Sequence, residues 1–256
     1  KEFYMRGYCY RNPGDPNVYT EAGEKRENFE KMKQQYIEEG RVLAALGEQP
    51  GVVNVYTFIE ENNTAYLVMD FVEGQSLDAY VKGRGGRLSV SETLAIMRPV
   101  IRALAGVHKR GVIHRDISPD NIMITHDRKV KLIDFGAARM YGNYNYLRVQ
   151  KGGYSPIEQV TPGAQIGPYS DVYALCATMY TCMTGVKVPH AVERAKQSAH
   201  QFVIRCHKRR HQLQHIVISA CTFHDQSLFK ALVTDCQSKL SICNLDAPDT
   251  ADSPDL

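Results

Sequence analysis

Asp116 and Asn121 lie five positions apart in the stretch GVIHRDISPDNIMI (111–124), a polar segment bracketed by Val112-Ile113 and Ile122-Met123-Ile124. A carboxylate set beside an apolar strand can take the proton from an attacking hydroxyl. A neutral amide oxygen suits a hard cation such as Mg²⁺. Downstream, KLIDFG (131–136) delivers Asp134, a second oxygen ligand for the same metal. Two acids and an amide around Mg²⁺ suit phosphoryl transfer, where positioning and charge neutralisation do most of the catalysis.

Such a loop must be held by regular elements on both sides. Residues 7–23, rich in Gly, Pro and Asn, read as irregular. Over 24–46, Phe29, Met32, Tyr36, Val42, Leu43 and Leu46 recur near helical spacing, and Gly47 and Pro50 end the pattern. VVNVYTFIEENNTAYLVMDFV (52–72) reads as two strands around a Glu-Asn-Asn turn. Helical pattern resumes from Ser76 to Arg110, broken by the Gly/Arg-rich turn at 83–87. After the polar loop come a predicted strand at 129–136 and a Tyr/Gly-rich loop. The apolar VYALCATMYTCM (172–183) then reads as a buried helix, with Cys176 and Cys182 as small core residues.

Bulk properties narrow the partners. A net charge of +3 is too small to make nucleic acid or a membrane surface the main partner. No apolar run approaches the roughly 20 residues that span a bilayer. Seven cysteines without a CxxC pair favour a reducing, cytoplasmic setting over a disulfide scaffold. The last quarter differs in kind. No Gly follows Gly185, no Tyr follows Tyr180 and no Glu follows Glu193, while five of nine histidines lie beyond residue 195. Residues 196–256 therefore read as an atypical tail, divergent or translated out of frame. His207, His211 and His215 recur there every four residues, a helical spacing for metal ligands; an exposed basic run, HKRRH (207–211), is the simpler reading.

Taken together and in order, HRDISPDN, IDFG and GYSPIEQ resemble the catalytic loop, metal-binding motif and activation-segment end of protein kinases. SPDN and SPIEQ are similar to the bacterial eukaryotic-like (Hanks-type) Ser/Thr branch. The resemblance implies an α+β, bilobal kinase-like fold. Its domains would be a truncated β-rich N-lobe over 1–72, a mainly helical C-lobe core over 73–195, and the tail over 196–256. It implies transfer of the ATP γ-phosphate to Ser or Thr of protein substrates. Asp116 matches the catalytic base, Asn121 and Asp134 the Mg²⁺ ligands, and Arg115 the residue that often receives an activation-loop phosphate. Glu158 matches the acid ending the activation segment, and Asp171 the buried helix acid that steadies the catalytic loop.

Upstream, AYLVMDFVEG resembles the strand and hinge between lobes. Met69 would guard the back of the adenine pocket, and Asp70 and Val72 would offer it backbone hydrogen bonds. KEFY at the start resembles the lysine strand, which makes Lys1 the phosphate-binding lysine; Glu39, or failing that Glu38, would be its helix partner. Leu43, Val55, His114 and Phe135 would stack as a hydrophobic column between lobes. The chain is then expected to be a fragment lacking the glycine-rich loop, and no GxGxxG occurs in it.

Two departures stand out. Ser118 occupies the place where Ser/Thr kinases commonly carry a Lys that neutralises the transferring phosphate, a loss that could cost orders of magnitude in rate. The segment 134–158 holds no Thr and one Ser, Ser155; Tyr141, Tyr144 and Tyr146 cluster within it, as phosphate acceptors or simply as packing residues. These departures favour a pseudokinase scaffold as the alternative, while the intact Asp116 and Asp134 weigh against it. A small-molecule phosphotransferase of related fold fits less well, because SPIEQ and the Asp171 helix belong to the protein kinases.

Overall fold

The computed structural model describes residues 1–140 and 150–196, with the side chains of Glu39, Ala45 and residues 194–196 outside that description. Two short strands, β1 (Cys9–Tyr10) and β2 (Tyr19–Thr20), pair antiparallel in the stretch that composition alone marks as irregular. Helix α1 (Glu24–Leu46) follows with the expected bounds. Its apolar residues divide between two cores: Phe29 packs with Cys9 and Val18, while Val42, Leu43 and Leu46 join the main cluster.

Strands β3 (Val55–Glu61) and β4 (Thr64–Met69) form the expected hairpin. Its two-residue turn places Asn62 and Asn63 at φ 52° and 57°, the pair of left-handed conformations that matches strand twist. The first residues add to the far edge of β4: Phe3 N–H donates to Ala65 O, and Leu67 N–H to Lys1 O, both at 2.8 Å. Gly40, inside α1, lets the helix approach this hairpin. A Cβ there would lie 3.0 Å from Leu67 Cδ1 and 3.6 Å from Phe58 Cβ. Glycine inside a helix costs about 1 kcal/mol relative to alanine, which this close packing offsets.

The remaining elements make the larger, helical part. Strand β5 (Gly74–Ser76) leads into α2 (Leu77–Gly83), and α3 (Val90–Lys109) starts at a capping box in which Ser89 and Glu92 each satisfy the other's backbone N–H. Strands β6 (Val112–Ile113), β7 (Ile122–Thr125), β8 (Val130–Leu132) and β9 (Arg139–Met140) frame the polar loop. The three-stranded sheet runs β5-β7-β8, and β6 pairs with β9. The strand expected over 129–136 stops at Leu132, because Asp134 takes φ 57° and turns the chain out of extended conformation. Short α4 (Ile157–Val160) precedes α5 (Pro168–Thr184) and α6 (Ala191–Lys196). Gly185, at φ 70°, ends α5 by donating to Thr181 O.

Helix α5 is buried along most of its length, and Cys176 and Cys182 lie in the core as expected. One apolar cluster runs from Leu43 and Val55 through Leu77, Met97 and Leu132 to Leu175, so both parts of the molecule share it. Each such side chain removed fully from water contributes about 1.5–3 kcal/mol. The histidine tail and residues 141–149 lie outside the described residues.

Candidate active site

The polar loop spans the gap between β6 and β7, and its backbone is fixed from α5. Asp171, fully buried, accepts the His114 N–H at 2.8 Å on one carboxylate oxygen and the Arg115 N–H at 2.7 Å on the other. His108, at the end of α3, meets the same carboxylate with Nε2 at 2.7 Å. Arg115 sits at φ 68°, a left-handed conformation that costs a side-chain-bearing residue about 1–2 kcal/mol. Gln159, from α4, donates to the Arg115 carbonyl at 2.9 Å and helps hold that conformation.

His114 is wholly buried and packs its ring 4.3 Å from that of Phe135. Asp116 N–H donates to its Nδ1 at 3.2 Å, so the proton sits on Nε2, which faces Ile133 O at 3.3 Å. Burial holds its pKa below the ordinary value, against the opposing pull of Asp171, Asp116 and Asp134. His114 is therefore a neutral, hydrogen-bonded core residue. Leu43, Val55 and Phe135 are buried in one cluster.

Asp116 and Asn121 close on each other. Asn121 Nδ2 donates to the Asp116 carbonyl at 2.8 Å and to its Oδ2 at 2.7 Å. Asp116 Oδ1 is closed off from solvent and has no hydrogen-bond partner among the described residues. Burial raises the pKa of this carboxyl, while Lys151, His114 and Asn121 pull it back. Asn121 O accepts the Ile133 N–H at 2.9 Å, which brings the segment carrying Asp134 alongside. Lys1 Nζ donates to Asp134 Oδ1 at 2.5 Å. Burial pushes the Asp134 carboxyl up, but Lys1 and the Gly136 N–H outweigh it and hold the pKa below the usual value. The site thus offers an ionised carboxylate, an amide and a second carboxyl of raised pKa between residues 116 and 134.

This order of motifs on this geometry has a match in known proteins: the sequence model of the protein kinase domain matches residues 19–244. The chain belongs to the protein kinase family. It is 36% identical over 166 residues to serine/threonine-protein kinase PknA of Mycobacterium tuberculosis (61% of this chain, 38% of that protein). It is 32% identical over 152 residues to serine/threonine-protein kinase PrkC of Bacillus subtilis (58% and 23%). Sperm motility kinase 2B of Mus musculus is 34% identical over 149 residues (57% and 30%). The chain spans well under half the length of these relatives. The solved structure of the PpkA-294 apo form superposes with a TM-score of 0.72 at 28% identity, covering 86% of this chain and 78% of that one. The bilobal α+β kinase fold expected from the motifs is therefore the fold of this chain.

The other residues singled out from the motifs stand either beside the loop or at the end of β4. Glu158 is buried and accepts from Ser170 Oγ at 2.7 Å, which ties the end of the activation segment to the first turn of α5. Met69 ends β4, half-buried against the main core. The Asp70 N–H is already given to Asn54 O at 2.9 Å, so what Asp70 can offer a ligand is its carbonyl. Its carboxylate is held by Tyr56 and by Lys131. An open cavity of about 760 Å³ borders Lys1, Leu67, Met69 and Asp70. Glu38, the second choice as partner for Lys1, is exposed and pairs with Arg41 at 3.3 Å. The Glu39 side chain and Tyr141, Tyr144 and Tyr146 lie outside the described residues.

Three participants escaped the sequence. His108 carries no motif of its own, although it stands one turn before the loop that Asp171 holds. Gln159 was legible as part of SPIEQ but had no role there. Lys151 donates to Ser118 Oγ at 2.8 Å and pairs with Asp120 Oδ2 at 2.9 Å, and nothing in its neighbourhood in sequence announces that meeting.

Proposed function

We propose that this chain is the catalytic domain of a serine/threonine protein kinase, moving the γ-phosphoryl group of ATP to a Ser or Thr hydroxyl of a protein. The observation that carries the reading is Asp116: Asn121 clamps one of its oxygens and the other has no partner among the described residues. That free oxygen, on a carboxyl whose pKa burial has raised, suits a base that orients a hydroxyl. The hydroxyl oxygen forms a bond to the γ-phosphorus and its proton passes to Asp116. The bond from that phosphorus to the β,γ-bridging oxygen breaks, and ADP leaves with the electron pair.

Asn121 and Asp134 would hold Mg²⁺. The donor set fits: among the described residues there is no cluster of three or more His, Cys, Asp or Glu, but an amide oxygen and a carboxylate suit an ion that keeps water and phosphate as its other ligands. Bound there, Mg²⁺ would neutralise charge on the phosphates. Asn121 spends its amide protons on Asp116, which leaves its carbonyl oxygen for the metal. Lys1, with Glu39, would steady the phosphates, and Met69, the Asp70 carbonyl and Val72 would frame the adenine. Ser118 and Arg115 complete the loop around the transfer. No described helix is long and apolar enough to cross a membrane, and the free thiols of Cys9, Cys176 and Cys182 suit a cytoplasmic setting.

The test is transfer of label from γ-labelled ATP with Mg²⁺ to the chain and to a basic protein, beside an Asp116→Asn variant. The expected result is label on Ser or Thr that the variant loses. Equal labelling in both would remove Asp116 from the mechanism.

A further inference from the structure

We propose that Lys151 is a catalytic residue: delivered from the activation segment, its ammonium faces the transferring phosphoryl group in the place where the catalytic loop has only Ser118. The inference rests on the phosphoryl-transfer reading above.

Phosphoryl transfer spreads negative charge over the oxygens of the moving group, and cations fixed near them stabilise it. Ser118 lies two residues beyond the base, wholly buried, with a neutral hydroxyl. Lys151 fills that deficit from 33 residues away, its Nζ 2.8 Å from Ser118 Oγ. A serine side chain is short enough to leave the space that the lysine enters, and its oxygen gives the ammonium an acceptor.

The position of Lys151 is built rather than incidental. Its N–H donates to Ser155 Oγ at 2.8 Å, and its carbonyl accepts from Tyr154 and Ser155 N–H at 3.0 Å, a tight turn just before SPIEQ. The charge reaches the base as well: among the opposite charges acting on Asp116, Lys151 is the strongest. The other contact, Asp120 Oδ2 at 2.9 Å, involves a carboxylate 54% exposed. A pair so exposed is worth about 0–1 kcal/mol, too little to keep the ammonium from a phosphate. Lys1 pairs with Asp134 at 2.5 Å, so the other lysine of the site comes from a different segment of the chain. In the transfer step Lys151 gives up no proton. It holds charge while the proton of the hydroxyl goes to Asp116 and the phosphorus changes oxygen partners.

The test compares the full chain with Lys151→Met, Ser118→Lys and the double variant, by steady-state kinetics with Mg²⁺-ATP and a basic protein acceptor. Thermal unfolding confirms that each variant folds. The expected result for Lys151→Met is a fall in kcat of about 100-fold with KM for ATP nearly unchanged. The double variant should regain about tenfold or more over Lys151→Met, since the charge returns from the catalytic loop. Lys151→Met active within about threefold of the unaltered chain overturns the proposal. So does a loss that Ser118→Lys fails to restore, which would leave Lys151 a packing residue. An unaltered chain that transfers nothing removes the kinase reading itself, and the inference with it.

Discussion

Asp171 accepts the backbone N–H of Arg115 at 2.7 Å across 56 residues of sequence, and with its other oxygen holds the N–H of His114. A single buried carboxylate thus fixes two consecutive peptide units, one of them in left-handed conformation. Asp171→Ala should leave both N–H groups unsatisfied in the core and lower stability by about 3 kcal/mol, at about 1–3 kcal/mol per orphaned group. The urea midpoint checks this, and a shift below about 1 kcal/mol would mean the loop holds itself.

Removing the base should act on rate and stability in opposite directions. The pKa of Asp116 is raised by burial, so between its unfolded and folded values the native state binds more protons. Stability from this group is present at low pH and is lost as pH rises through that window. At pH 7 its charge is a cost. Asp116→Asn should therefore lower transfer by about 1,000-fold while leaving Tm unchanged or higher. A clear drop in Tm would contradict the electrostatic account.

His114 gives the opposite slope. Its folded pKa lies below the ordinary value of 6.5, so in acid the unfolded chain binds the extra proton. Stability should fall as pH drops below that value. The groups facing it, Asp171, Asp116 and Asp134, soften the effect without reversing it. His114→Phe should flatten the stability profile between pH 7 and pH 5, read by thermal unfolding; an unchanged slope would assign the acid sensitivity elsewhere.

Asp134 should matter for nucleotide only when metal is present. Asp134→Asn is expected to weaken Mg²⁺-ATP binding by about tenfold or more, and to leave binding in EDTA nearly unaltered. Calorimetric titration under both conditions separates the two, and equal losses would point to a nucleotide contact in place of a metal ligand.

The legible features are those that local chemistry writes into adjacent residues. Phe29, Leu43 and Leu46 fall on helical spacing, and all three are buried in α1. The Asn62-Asn63 turn fixed the hairpin, because both residues tolerate positive φ. The motif residues Asp116, Asn121 and Asp134 come together through backbone that runs between short, recognisable strands. Other features depend on chain returns. The β1–β2 ribbon is only two residues per strand, too short to show a period. Arg115 and Asp134 hold left-handed φ that surrounding structure imposes and that their side chains do not announce. Lys151 and Ser118 meet only because the activation segment folds back over the catalytic loop.

The side chains that brace the catalytic-loop backbone, His108, Gln159 and Asp171, come from α3, α4 and α5, all in the helical part. Lys1 and the Met69–Val72 stretch, which would grip the nucleotide, belong to the other part. On the proposed roles, the adenine end of the grip and the aim of the hydroxyl come from different parts, while Asn121 and Asp134 keep the metal with the loop. A swing about the connecting stretch would open or shut the nucleotide cleft while the aim of Asp116 stayed fixed, much as a vice can loosen its jaw without moving the bench. On the proposed reading, exchange of ADP for ATP need not disturb the backbone that carries Asp116.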